Sequence, residues 1–201
     1  MKKFTILITG FFIMFASFAQ NNEFKTIFQQ DTDKPPFISG FGGPMMVFTS
    51  IDGHFAHLMG GGGGVIINNF FFGGYGLGLT TPIPYKSEPD YNLEFGHGGL
   101  MGGIILGSNR PVHLSFSSLF GWGSISESDP TIAGLDEITS YPVFVVTPLI
   151  ELEFNFSRFL KVGAGSSMSF VNGLGVEQTT YSVRDFAKPS VFLSFKFGWF
   201  N

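Results

Sequence analysis

The chain has 201 residues, of which only 13% are charged, together with 27 Phe and 28 Gly. A water-facing surface is built mainly from Lys, Glu, Asp and Arg, and so small a charged share covers a soluble domain of this size poorly, whereas a lipid-facing one needs no such coat. The 11 basic residues against 15 acids, net −4, exclude a phosphate-neutralising nucleic-acid surface, and the absence of Cys excludes disulfides and thiolate metal sites.

Lys2 and Lys3 precede an apolar run from Phe4 to Phe15 and a Ser17-Phe18-Ala19 exit. This is the pattern of a secretory signal cut after Ala19, with an apolar stretch short for a membrane helix. Cleavage removes two of the 11 basic residues and none of the 15 acids, leaving net −6. Residues 1–19 are therefore read as a cleaved signal, 20–36 as a periplasmic arm, and 37–201 as one domain.

Within that domain eight strand-length stretches follow one another. Phe37–Thr49 alternates only in part, and Pro44 predicts a bulge. Asp52-Gly53 is a hairpin turn. His54–Asn68 contains Gly60–Gly64, expected to bend or bulge the second strand. After the tight turn Asn68-Asn69, the third stretch sets Tyr75, Leu77 and Leu79 on one face and Gly74, Gly76 and Gly78 on the other. The glycines are expected inside, where a narrow barrel has little room. Residues 82–91 form a long join to the partly alternating Asn92–Leu106, and Ser108–Pro111 is tight again.

The fifth stretch opposes Val112, Leu114, Phe116, Phe120 and Trp122 to His113, Ser115, Ser117 and Gly121. After a long join from Ile125 to Tyr141, the sixth opposes Phe144, Val146, Ile150, Leu152 and Phe154 to Thr147, Glu151, Glu153 and Asn155. Asn155–Arg158 is tight. The seventh sets Leu160, Val162, Ala164, Met168 and Phe170 against Lys161, Gly163, Gly165, Ser167 and Ser169. A third long join, 172–188, leads to Val191, Leu193, Phe195, Phe197 and Trp199 against Ser194, Lys196 and Gly198, with Phe192 and Phe200 as exceptions.

Large apolar side chains on one face, small or polar ones on the other, and joins alternating short and long predict an all-β, eight-stranded antiparallel up-and-down transmembrane barrel. The short turns and both termini fall on the periplasmic side, the long joins outside. Trp122, Tyr141, Phe156, Phe159 and Trp199 are the expected aromatic girdle. Closure has its own reason, since an open sheet edge in hydrocarbon leaves backbone groups unpaired.

The stretches Asn92–Gly99, Pro111–Phe116, Ile150–Asn155 and Lys161–Gly165 resemble the small eight-stranded outer-membrane barrels, the group of the OmpA transmembrane domain and the OmpW-like proteins, and more closely a family of secreted bacterial barrels. The resemblance covers most of the mature chain and implies fold and location, not an activity. Such barrels commonly end on an aromatic residue that the insertion machinery reads; here Asn201 follows Phe200.

Candidate chemistry is sparse. Gly74–Gly78 and Gly60–Gly64 match neither a dinucleotide nor a phosphate loop. His54 and His57 fall on opposite strand faces, and His97 and His113 are isolated, so neither metal nor cofactor is expected. Glu151, Glu153, Lys161 and Lys196 are expected as a polar lumen cluster, with Glu153 about opposite Lys161. Such charges most often plug a narrow barrel, a gated ion path being the sharper alternative. His113 and Ser115 with Glu127 echo the catalytic set of outer-membrane lipid A deacylases, but Glu127 is expected in an external loop, far from His113. The external joins are acidic, with Glu127, Asp129, Asp136, Glu137, Glu177 and Asp185.

The function expected is non-enzymatic: a structural or surface-interaction barrel among outer-membrane lipids, inserted by the barrel-assembly machinery, with an extracellular protein or glycan as its unidentified ligand. The alternatives are a soluble periplasmic barrel carrying an apolar ligand, and a lipid A-modifying enzyme.

Overall fold

Alternating large and small side chains oblige each strand to choose which face turns inward, and the computed structural model displays that choice for residues 36–86, 90–128, 137–173 and 181–200. The expected signal and the arm up to residue 35 lie outside the described residues. Among the described residues the strands are β1 (Ile38–Ile51), β2 (His54–Ile67), β3 (Phe70–Leu79), β4 (Asn92–Leu106), β5 (Val112–Ser128), β6 (Glu137–Asn155), β7 (Leu160–Met168), β8 (Phe170–Asn172) and β9 (Pro189–Gly198), with a short helix, α1 (Val183–Phe186). β1 to β7 pair in chain order, all antiparallel, β7 pairs with β9, and β9 pairs with β1, so the sheet closes on itself. The β6 partner register Leu149↔Ser167 continues unslipped as Val146↔Phe170, so β7 and β8 are two parts of one strand and the barrel has eight. Pro148, which has no N–H to give, sits in β6 at the interruption, where the Thr147 and Ser169 hydroxyls meet at 2.9 Å.

Two expectations about the backbone fail. Pro44 makes no bulge: β1 and β2 stay in register from Ile38↔Ile67 to Ile51↔His54, and what Pro44 interrupts is the β1–β9 ladder, between Gly42↔Phe197 and Met45↔Ser194. Gly60–Gly64 likewise neither bulges nor leaves the strand, since β2 is paired without a slip to β1 on one side and β3 on the other. Pairing on both edges outweighs the glycine penalty. Close packing also needs the missing side chains: a Cβ on Gly62 would lie 3.2 Å from the Met101 sulfur.

Strand facing agrees with expectation in β5 to β9. Phe116, Phe120, Ile150, Leu152, Phe154, Leu193 and Phe197 are exposed on the outer wall, while His113, Ser115, Glu151, Glu153, Lys161 and Ser194 are buried inside. In β3 the faces are reversed. Tyr75 and Leu77 are buried, and Gly76 and Gly78 look onto open space. The Tyr75 hydroxyl meets His97 Nδ1 at 2.9 Å across the interior, so the polar end of the ring has its partner inside. The glycines therefore form a patch of bare backbone on the outer wall.

The interior is more apolar than expected. Toward the long-loop end it is filled by a cluster that includes Val47, Leu58, Leu77, Phe95, Leu119 and Leu149. The loops add to it. Ile83 and Tyr85 turn into the mouth beside the bridge Pro84↔Asn92, and the last long join delivers Tyr181 and Phe186, whose rings pack against Tyr85 and Phe95 at centroid distances of 5.3 and 5.0 Å. Of the join expected from Ile125 to Tyr141, residues 125–128 and 137–141 are strand, paired as far as Ser128↔Glu137. Glu127 is thus a strand residue opposite Thr139, not a loop residue.

A charged latch crosses this end. Lys86 Nζ lies 3.1 Å from Asp52 and 3.4 Å from Asp185, tying three loops together. The Asp52-Gly53 turn that offers the first carboxylate has both residues at positive φ (48° and 83°), as a two-residue hairpin requires. Asp185 also closes a capping box with Ser182 at the start of α1. Burial works to raise the Asp185 pKa, but the Ser182 backbone and hydroxyl and the Lys86 charge outweigh it and hold the carboxyl below its ordinary value. Lys86 is raised, first by its hydrogen bond with Asp52.

The signs define a window. The depressed Asp185 contributes closure above its unfolded value and loses it as pH falls through the lower folded one; the raised Lys86 contributes below its unfolded value and loses it as pH rises through the higher folded one. Amide exchange at Lys86, whose N–H is held by the Tyr181 hydroxyl at 3.1 Å, is therefore expected to quicken, beyond its intrinsic pH dependence, below about pH 4 and above about pH 10. Asp185→Asn should abolish the acid limb; an unaltered acid limb would remove Asp185 from the latch.

Candidate functional site

Four strands carry the charged side chains to one level of the lumen, nearer the short-turn end. Inward-facing positions recur every second residue, so Glu151 and Glu153 on β6, His113 and Ser115 on β5, Lys161 on β7, and Ser194 and Lys196 on β9 all project to the axis. Lys196 lies 2.6 Å from Glu151 Oε2 and 2.6 Å from Glu153 Oε1. Glu153 Oε2 meets His113 Nε2 at 2.9 Å, and Lys161 Nζ stands farther off, at 3.6 Å. Glu151 accepts from Ser115 Oγ at 3.1 Å through Oε2 and from the Ser194 hydroxyl through Oε1. A Cβ at Gly163 would collide with the Glu151 carboxyl and the Ser194 hydroxyl, so glycine there makes room for the network.

The four residues singled out from the sequence, Glu151, Glu153, Lys161 and Lys196, are brought together. The register differs from expectation: Asn155, not Glu153, is opposite Lys161, and Lys161 is opposite Lys196. Two like charges face each other because the Glu151 and Glu153 carboxylates reach across from β6. His113, Ser115 and Ser194 belong to the same network. Their sequence signal for this network was their inward position; pairing of His113 with Glu153 and Ser115 with Glu151 across β5 and β6 supplies the rest.

Two aromatic groups bound the layer. The Phe200 ring lies 4.5 Å from Lys161 Nζ, and the Phe71 ring 5.7 Å from Lys196 Nζ, distances at which a ring face attracts a cation. Phe200 turns inward while Trp199 is exposed, so the alternation of faces holds to the end and an apolar ring takes an inward position.

His113, Ser115 and Glu127 are not brought together as a catalytic set. Ser115 bonds Glu151 and His113 bonds Glu153, so the serine and histidine serve different carboxylates, and Glu127 is at the far end of β5. Among the described residues no group of three or more His, Asp or Glu is placed to hold a metal ion. His57, on the outer wall, stacks on Phe48 at 5.0 Å and meets Thr80 Oγ1 at 2.7 Å.

Of the aromatic residues expected in the girdle, Trp122, Phe156, Phe159 and Trp199 are exposed and Tyr141 is half-buried. Phe159 and Trp199 pack edge to face at 4.7 Å at the short-turn end, and Trp122 packs on Phe144 at 5.2 Å.

The chain is similar in structure to Neisserial surface protein A (TM-score 0.59, 11% identity, 84% of this chain and 100% of that one). The N-terminal β-barrel domain of Pseudomonas aeruginosa OprF follows (TM-score 0.54, 10% identity, 82% and 100%). So does Ail, the attachment invasion locus protein of Yersinia pestis, in complex with the heparin analogue sucrose octasulfate (TM-score 0.51, 16% identity, 83% and 100%). This is the fold of the small outer-membrane barrels. No family model matches the sequence, and no curated protein does.

Proposed function

We propose that this protein is an outer-membrane barrel with a structural or surface-interaction role and no catalytic activity, its lumen plugged by its own side chains. The observation that carries the reading is the outer wall. On neighbouring strands Leu114 faces Leu152, Phe116 faces Ile150, Phe120 faces Val146 and Trp122 faces Phe144, and this exposed apolar band belongs to a sheet closed on itself. Water would not tolerate so large an apolar patch; acyl chains would. From Val112 to Trp122 is about the length needed to cross the hydrocarbon, and the exposed rings near the two ends suit the headgroup levels. The rest of β5 and β6 would then stand clear of the membrane with the long loops, on the outer side, and the short turns would face the periplasm.

Plugging is supported by what lies between the charged layer and the loop-filled mouth: internal spaces of about 20 and 30 Å³, each near the size of one water. Neither space approaches the pocket of about 300 Å³ or more that a soluble carrier needs for an apolar ligand. Lipids and the assembly machinery are the partners this reading requires. The long-loop end would be the docking surface for an extracellular protein or glycan. Ail holds a sulfated ligand, but here Lys86 is already engaged by Asp52 and Asp185, and the loop sequence is acidic, so a polyanionic glycan is a poor fit.

Membrane fractionation tests the location: the protein should need detergent for release and should keep a heat-sensitive gel mobility. Release by osmotic shock would overturn the reading in favour of the soluble carrier.

A further inference from the structure

Among the described residues, the short-turn end of the barrel is less filled than the other. A cavity of about 510 Å³ lies there between the turns and the charged layer, within the range that accommodates small ligands. Its described lining carries Arg158 and Lys161 and no acid, with asparagines at 68, 69, 109 and 155 and an apolar side that includes Ile66 and Ile105.

Two groups in that lining are incompletely served by the protein. Lys161 has three hydrogens to donate, yet its polar neighbours are Glu153 at 3.6 Å and His113 Nε2 at 3.5 Å, whereas Lys196 holds two carboxylates at 2.6 Å. Asn155 Oδ1 is buried with no hydrogen-bond partner. Its orientation is not arbitrary, because Asn155 Nδ2 donates to the carbonyls of Ser108 and Arg110 at 3.4 and 2.9 Å, which leaves the oxygen as the free end. Asn155 and Lys161 are direct partners across β6 and β7, so their side chains stand side by side. A buried acceptor left without a partner is costly, and the long contacts of Lys161 leave its ammonium room for a closer one.

We propose that this cavity binds a ligand presenting a carboxylate with an N–H donor beside it, the chemistry of a peptide C-terminus. The carboxylate takes the Lys161 ammonium, with Arg158 at the rim adding a second positive charge. The adjacent N–H donates to Asn155 Oδ1. The apolar wall at Ile66 and Ile105 receives the side chain. Inorganic phosphate or acetate would satisfy Lys161 but bring no N–H for Asn155, and a neutral amide would satisfy Asn155 but not the charge. The proposal concerns binding to the folded barrel and stands whichever compartment this end faces.

The test is a titration of the folded full-length chain in detergent, followed by amide chemical shifts, with N-acetyl-alanyl-alanine, its C-terminal amide, and sodium phosphate as separate probes. The acid is expected to bind saturably, with shifts centred on Asn155, Lys161 and the short turns. The amide should bind at least about tenfold more weakly, the loss expected for a charge-assisted hydrogen bond. Asn155→Leu should weaken the acid several-fold while Lys161→Arg retains it, and gel mobility reports that each variant is folded. Equal binding of acid and amide, phosphate binding as tight as the acid, or no saturable shift up to about 10 mM would each overturn the proposal. None of these results bears on membrane location, which fractionation decides separately.

Discussion

Glu153→Gln is expected to lower the unfolding free energy of the barrel by roughly 3–5 kcal/mol, the cost of leaving buried charge uncompensated. The carboxylate is 1% exposed and receives Lys196 at 2.6 Å and His113 at 2.9 Å. Gln offers one acceptor oxygen and no charge in its place, so Lys196 keeps only Glu151, and Lys161 loses its carboxylate. Denaturant titration of the barrel refolded into lipid vesicles, read by Trp fluorescence, measures the effect. Pairing the change with Lys196→Met leaves one carboxylate and one ammonium in the layer and should recover part of the loss. A single-variant effect below about 1 kcal/mol, the scale of an exposed ion pair, with no recovery in the double variant, would mean that the layer is hydrated and its charges are individually dispensable.

The second large effect belongs to the outer wall. Phe116→Arg should destabilise the barrel in a bilayer by about 2–4 kcal/mol, as a cation at the depth of the hydrocarbon does, while Trp122→Arg, nearer the long-loop end, should cost about 0–1 kcal/mol. Phe116 is 40% exposed and pairs with Ile150 on the outside of the sheet, so neither substitution disturbs the interior. The comparison separates lipid from water as the solvent of this surface, because on a soluble barrel both changes would fall within about 0.5 kcal/mol of neutral. Equal small effects at the two positions would withdraw the membrane reading.

The strands from β5 onward were legible because their two faces differ in kind. Phe116 beside Ser115, or Leu152 beside Glu151 and Glu153, can be sorted by polarity alone, and the same alternation brought Lys161 and Lys196 to the interior before any pairing was known. His113 and Ser115 were legible as inward but not as partners of Glu153 and Glu151, since that depends on which residues face each other across two strands.

In the third strand polarity does not sort the two faces. Tyr75 and Leu77 alternate with glycine, and apolar side chains are acceptable both toward lipid and within a packed lumen. Period two then fixes that the faces differ but not which one is inside. The contact between the Tyr75 hydroxyl and His97 selects the inward one. Pro44 and Gly60–Gly64 misled for a related reason: each weakens a strand locally, but unbroken register with neighbours on either side carries the backbone through.

By itself, the sequence determined the all-β class, the number of barrel strands, the alternation of short and long joins, and the apolar wall of β5 to β9. These follow from periodicity and turn residues, which are local. Only the tertiary structure decided the facing of β3, the aromatic filling of one mouth by Tyr85, Tyr181 and Phe186, the Lys86 latch, and the open cavity beneath Asn155 and Lys161. Each of these depends on contacts between different strands or loops, which strand pairing and closure of the sheet bring about.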